Sequence, residues 1–120
     1  MRWIKAAVIS LVIPVSASAA EFEPVRDKGE FISLVSGKEL RIGLYNLSLR
    51  LSPEGQISGK ALGWQISGDW QWKDGYFCRE MDWEGKLIEY NCQLVEKRGA
   101  QELRFTSNKG KGDSASFRLR

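Results

Sequence analysis

"YFCREMDWEGKLIEYNCQLVE", Tyr76 to Glu96, decides how the rest of the chain is read. Two runs rich in aromatic and branched residues flank Glu84-Gly85, a turn signal, so the stretch predicts a β-hairpin. It also holds both cysteines of the chain, Cys78 and Cys92. An even cysteine count in an exported protein reads as a disulfide, and that pairing constrains the hairpin. If Glu84-Gly85 were a tight two-residue loop with no irregularity, Trp83 would face Lys86 and Cys78 would face Asn91. Cys78 and Cys92 would then lie on opposite sides of the ribbon, out of bonding reach. The hairpin therefore needs a three-residue turn or a β-bulge.

Working outward, the other runs also read as strand and turn. Glu39–Tyr45, Leu47–Ser52, Gln56–Leu62 and Trp64–Trp72 precede the hairpin, and Gln101–Ser107 and Ser114–Arg120 follow it. Pro53-Glu54-Gly55, Lys73-Asp74-Gly75 and the glycine-rich stretch near Gly110 are turn signals. Turns at this spacing predict an all-β fold: an antiparallel meander of about seven or eight strands closing into a small barrel or a sandwich. "QISG" occurs at Gln56–Gly59 and again at Gln65–Gly68, as adjacent strands of a hairpin would allow. Gly59 and Gly68 are expected to mark bulges or tight bends. Alternation puts Leu103 with Phe105, and Ala115 with Phe117 and Leu119, on inward faces. It does the same for Ile88, Tyr90, Cys92 and Leu94, and for Trp70 with Trp72. One short helix precedes the strands: Asp27 can cap it, Glu30 follows three residues later, and Gly37 can end it. Its buried face would carry Phe31, Leu34 and Val35.

The first twenty residues predict a secretory signal peptide. Arg2 and Lys5 precede the apolar run Ala6–Val15, and small residues follow at Ser16–Ala20, with cleavage after Ala19 or Ala20. The run is too short to span a bilayer. Residues 21–120 would then form one disulfide-stapled domain, periplasmic or secreted. Two of the eighteen basic residues, Arg2 and Lys5, belong to the leader, so the remainder carries sixteen bases against fifteen acids. Nothing in that balance resembles a nucleic-acid footprint, and no later stretch predicts a membrane span.

Catalytic parts are scarce. The chain has no histidine, which removes Ser-His-Asp and Cys-His arrangements and histidine-bound metal. Glu80, Asp82 and Glu84 are spaced two apart, as on a solvated strand face. "GKGDSA", Gly110–Ala115, matches a dinucleotide-binding pattern, but the five alternating residues after it leave no room for the helix that pattern needs. No catalytic residue, metal or cofactor is therefore expected. The clearest functional signal is aromatic: Trp64, Trp70, Trp72, Tyr76 and Tyr90 are candidates for lining a ligand cavity. In a small barrel, large side chains can equally fill the interior. Trp70 and Trp72, on one strand face, suit a core better than a cup.

"GDWQWKDGYFCR" (Gly68–Arg79), "YNCQLV" (Tyr90–Val95), "LRF" (Leu103–Phe105) and the closing "GKGDSASFRLR" resemble a family of short exported bacterial proteins, over most of residues 21–120. Many of those proteins carry the name dihydrodipicolinate reductase, whose true bearer is a cytoplasmic nicotinamide-dependent enzyme with a Rossmann domain. The resemblance implies export and a small domain. The predicted architecture resembles small calycin-like barrels, both lipocalin-like and peptidase-inhibitor ones. The function expected is a non-enzymatic binding or inhibitory module for a small apolar ligand or a protein partner. An envelope-associated structural or interaction protein is the alternative.

Overall fold

The computed structural model describes residues 7–12 and 21–120. Most of the predicted leader, with its cleavage site, lies outside the described residues. Among the described residues no helix is long and apolar enough to cross a membrane.

Among the described residues nine strands and one regular α-helix build the domain, with a 3-10 turn at Gly43–Tyr45 and a short kinked turn at Ser107–Gly110. The strands are β1 (Glu23–Val25), β2 (Leu40–Ile42), β3 (Leu47–Leu51), β4 (Gln56–Ala61), β5 (Trp64–Lys73), β6 (Tyr76–Trp83), β7 (Lys86–Arg98), β8 (Glu102–Thr106) and β9 (Ser114–Leu119), with α1 (Lys28–Val35) between β1 and β2. Strands β2 to β7 run as an antiparallel meander. Pairing of β7 with β8, β8 with β9, and β9 with β2 closes an eight-stranded barrel. β1 is a ninth strand, added to the end of β7 at Val95–Lys97. The sequence offered no alternation long enough to predict so short a strand.

Three hairpin turns share one chemistry. Leu62-Gly63, Asp74-Gly75 and Glu84-Gly85 each hold positive φ at both residues, the conformation whose twist matches that of the flanking strands. Glycine at the second position makes it accessible.

The two copies of "QISG" face each other. Ile57 lies opposite Gly68, and Ile66 opposite Gly59. Each isoleucine is buried, and each sits across from a position with no side chain. Pairing through both glycines is regular, so neither marks a bulge. They are required instead by close approach of the neighbouring strand. A Cβ at Gly59 would strike the Ser48 carbonyl, and one at Gly68 would come within 2.9 Å of Met81 Cα.

The one register shift in the β6–β7 ladder separates the cysteines from the turn. Trp83 pairs with Lys86 and Met81 with Ile88, as a two-residue loop demands. Beyond the shift Arg79 pairs with Asn91 and Cys78 with Cys92. Glu89 and Tyr90 together oppose Glu80: a β-bulge. The disulfide forms between directly opposed residues, with Cα atoms 3.9 Å apart.

The bulge also reverses the alternation expected for β7. Ile88 keeps its inward place, but the interior face continues through Asn91, Gln93 and Val95. Tyr90, Cys92 and Leu94 turn outward, because one inserted residue exchanges the two faces. Leu103, Phe105, Phe117 and Leu119 face inward as their alternation predicts. Ala115 shares their face but is exposed, at the end of β9.

α1 closes one end of the barrel. Asp27 Oδ1 accepts from the Gly29 N–H, and Gly37 follows the last turn with φ of 70°. Phe31 and Val35 are buried, with Leu34 packed beside them. The Phe31 ring lies 5.4 Å from Trp70, 5.0 Å from Trp72 and 5.3 Å from Phe77. Lys97, at the end of β7, reaches Glu30 of the helix at 2.7 Å. Phe22 is held outside the same end, between Arg98 and Arg104 at 4.4 and 4.0 Å.

Candidate ligand-binding site

The lower half of the barrel is packed and the middle is not. Phe31, Trp70, Phe77 and Phe105 fill the end under α1. Above Phe77 and Phe105 lies a cavity of about 190 Å³. Leu40, Leu49, Leu51 and Ile57 wall one side, and Met81 lies across from them. Ala115 and Phe117 complete the apolar lining. These positions are where the periodicity of β2, β3, β4, β6 and β9 directs apolar side chains inward.

The cavity has a mouth. β9 pairs with β2 only at Arg118 and Leu119, and β2 ends at Ile42. The earlier part of β9, Ser114 to Phe117, is an open edge toward that side. Ala115, exposed and part of the cavity lining, places the opening there. The segment before β9 is latched to β7: Asn91 Nδ2 donates to Asn108 Oδ1 at 2.7 Å, and the Asn108 N–H donates to Asn91 Oδ1 at 2.9 Å.

Two polar side chains, Arg79 and Gln93, reach this apolar space. Arg79 stands between the inward residues Phe77 and Met81 on β6. Its Nη1 donates to the Glu89 carbonyl at 2.6 Å, and Glu89 belongs to the bulge. Removing a residue from regular pairing frees a backbone acceptor, and the guanidinium takes it. Among the described residues no carboxylate lies within ion-pairing distance of Arg79; the arginines that do pair with acids are Arg41, Arg50, Arg98 and Arg104. Burial pulls its pKa below the ordinary value for arginine, but an arginine so placed still carries its charge.

The five aromatic candidates are not brought together. Trp70 is buried beneath α1 and its Nε1 donates to the Ser52 carbonyl at 3.0 Å. Trp72 packs on Phe31 and donates to the Arg26 carbonyl at 3.3 Å. Trp64 is exposed at the opposite rim, beside Trp83 in a shallow depression. Tyr76 faces outward and holds Lys109 Nζ at 5.5 Å from its ring centre. Tyr90 is exposed on the outer wall, its Oη 3.4 Å from Cys92 Sγ. None of the five lines the interior cavity. Its aliphatic walls and Arg79 were not singled out by sequence reasoning. A lone arginine at the inward position between Phe77 and Met81 of "FCREM" was the available signal.

Other concavities are external and more polar. One of about 520 Å³ crosses the outside of β3 to β5, among Arg50, Ser52, Ser58, Ser67 and Asp69. Another, of about 530 Å³, spreads over the disulfide among Asp69, Gln71, Glu80 and Tyr90. Glu80 and Asp82 are exposed on the outer face of β6. Gly110–Ala115 leads from a left-handed turn into β9, not into a helix. Among the described residues no group of three histidine, cysteine or acidic side chains gathers in ligating range. Comparison with protein-family models, with curated proteins and with solved structures gives no match to this chain.

Proposed function

We propose that this protein is an exported, non-enzymatic binding module that takes a small apolar ligand inside its barrel. The observation that carries the reading is the cavity of about 190 Å³ above Phe77 and Phe105, walled by aliphatic side chains and open beside Ala115. Small-molecule sites are characteristically apolar clefts with few polar groups, commonly about 300–1,000 Å³. This cavity is below that range, so its ligand is small or leaves part of itself at the mouth. Export is supported by the leader-like first twenty residues and by a disulfide that suits an oxidising compartment. The absence of histidine from the sequence supports a role without proton-transfer chemistry. The family that the sequence resembles suits such a role. Its reductase name draws no support from Gly110–Ala115, which runs into a strand and not a helix.

Titration calorimetry with 1-octanol, a neutral apolar probe, tests the reading. Saturable one-to-one binding is expected. Heats indistinguishable from dilution up to the solubility limit would reject it.

One observation favours a second reading, a protein-interaction role in the envelope. Leu44, Tyr45, Leu62 and Trp64 are exposed at the end of the barrel opposite α1, and the Leu62 N–H donates to the Tyr45 carbonyl. Adjacent exposed apolar residues of this kind can form a contact patch. Under this reading Leu44→Ser and Leu62→Ser abolish a partner contact without affecting octanol.

A further inference from the structure

We propose that the cavity selects a single-chain anionic amphiphile, whose carboxylate pairs with Arg79 while its alkyl chain fills the aliphatic space. The inference rests on the cavity being a ligand site and names the class of ligand. Three features carry it.

The first is charge without compensation. Arg79 contributes a guanidinium to a wall otherwise made of Leu49, Leu51, Met81 and Phe117, with Gln93 as the other polar side chain. Arg79 is half-buried there, and the part of such a charge taken from water is costly unless paired and hydrogen-bonded. Here, among the described residues, the protein supplies one carbonyl, from Glu89, and no acid. A guanidinium has five N–H donors in a fixed fork, which matches the two oxygens of a carboxylate. One donor is used, and the remainder are available to a ligand.

The second is positioning. The Glu89 carbonyl holds Nη1 at 2.6 Å, and Glu89 sits in the bulge just above the disulfide. The guanidinium is therefore tethered to a cross-linked part of the wall, which lowers the ordering cost of binding.

The third is size. A cavity of about 190 Å³ corresponds to roughly six water volumes at their liquid density. It suits a short alkyl chain and is too small to enclose both chains of a diacyl lipid.

The test compares octanoate, 1-octanol and acetate by titration calorimetry at constant ionic strength and neutral pH. Octanoate is expected to bind about tenfold or more tightly than octanol, the scale of a charge-assisted hydrogen bond. Acetate, lacking a chain, is expected not to saturate the site. In Arg79→Met the advantage of octanoate over octanol disappears; Arg79→Lys retains part of it. Equal or tighter binding of octanol by the unsubstituted protein would overturn the proposal and leave the apolar ligand site standing. An unchanged octanoate preference in Arg79→Met would overturn it in the same way. Failure of every probe to bind would reject the ligand site itself. The comparison of head groups on the unsubstituted protein decides the matter even if Arg79→Met does not fold.

Discussion

Cys78 lies directly opposite Cys92, although a two-residue turn at Glu84-Gly85 starts the hairpin in the register that would separate them. The bulge at Glu89-Tyr90 reconciles the two. Deleting Tyr90 should restore uninterrupted pairing, with Glu89 alone opposite Glu80 and Cys92 still opposite Cys78, so the disulfide should persist and thiol titration of the folded protein should find no free cysteine. In the chain-entropy account, a crosslink closing a loop of this length stabilises by about 3 kcal/mol. The double substitution Cys78→Ser, Cys92→Ser should lower the unfolding free energy by that order. Denaturant titration, with and without reductant, measures it.

Gly68 packs against the β6 backbone where a methyl group has no space. Gly68→Ala would place Cβ 2.9 Å from Met81 Cα and closer still to the Glu80 carbonyl. Backbone must move, and the expected loss is about 1–3 kcal/mol, typical of overpacking. Ser67→Ala, on the exposed outer face beside it, should change stability by less than about 0.5 kcal/mol. Thermal melts of the two variants side by side test the contrast.

Phe31 joins α1 to the barrel. It is fully buried and its ring meets those of Trp70, Trp72, Phe77 and Phe105. Phe31→Ala should cost about 3–5 kcal/mol. Tryptophan emission should shift to the red as Trp70 and Trp72 gain water. A native-like emission maximum together with native stability would show that the helix is not the plug described.

Two ion pairs give opposite pH signatures. The Glu30 carboxylate hydrogen-bonded to Lys97 raises the ammonium pKa above its ordinary 10.5. The stability this contributes is complete below that ordinary value and is lost as pH rises through the higher folded pKa. Glu39 behaves in reverse. The Arg41 hydrogen bond is the main cause that lowers its pKa below the ordinary 4.5; burial opposes it, and Arg41 charge, Ser48 and Arg50 add to the lowering. Its contribution is complete above the ordinary value and is lost as pH falls through the depressed folded one. Glu30→Gln should flatten only the alkaline limb of a plot of denaturant midpoint against pH, and Glu39→Gln only the acid limb.

Much of this fold is legible in the sequence because its signals are local. The X-Gly turns, the Asp27 cap and the alternation of Leu103 with Phe105 each depend on a few neighbouring residues. The cysteines went further, requiring an irregularity in the β6–β7 hairpin. Alternation could not locate it, so Tyr90, Cys92 and Leu94 were assigned to the interior face. β1 escaped notice because three residues cannot display a period. The ligand site was less legible. Large aromatic residues suggested a cavity wall, but Trp70 and Trp72 instead pack beneath α1, and Trp64, Tyr76 and Tyr90 lie outside. A cavity is defined by volume left unfilled between strands distant in sequence, and the aliphatic residues around it resemble any other core.

Methyl-resolved nuclear magnetic resonance during an octanol titration tests the interior site most directly. The account predicts saturable shifts for Leu49, Leu51, Ile57 and Met81, with Leu44, Leu62 and Leu87 on the outer surface unmoved. Shifts confined to those outer leucines, or none at any concentration reached, would contradict it.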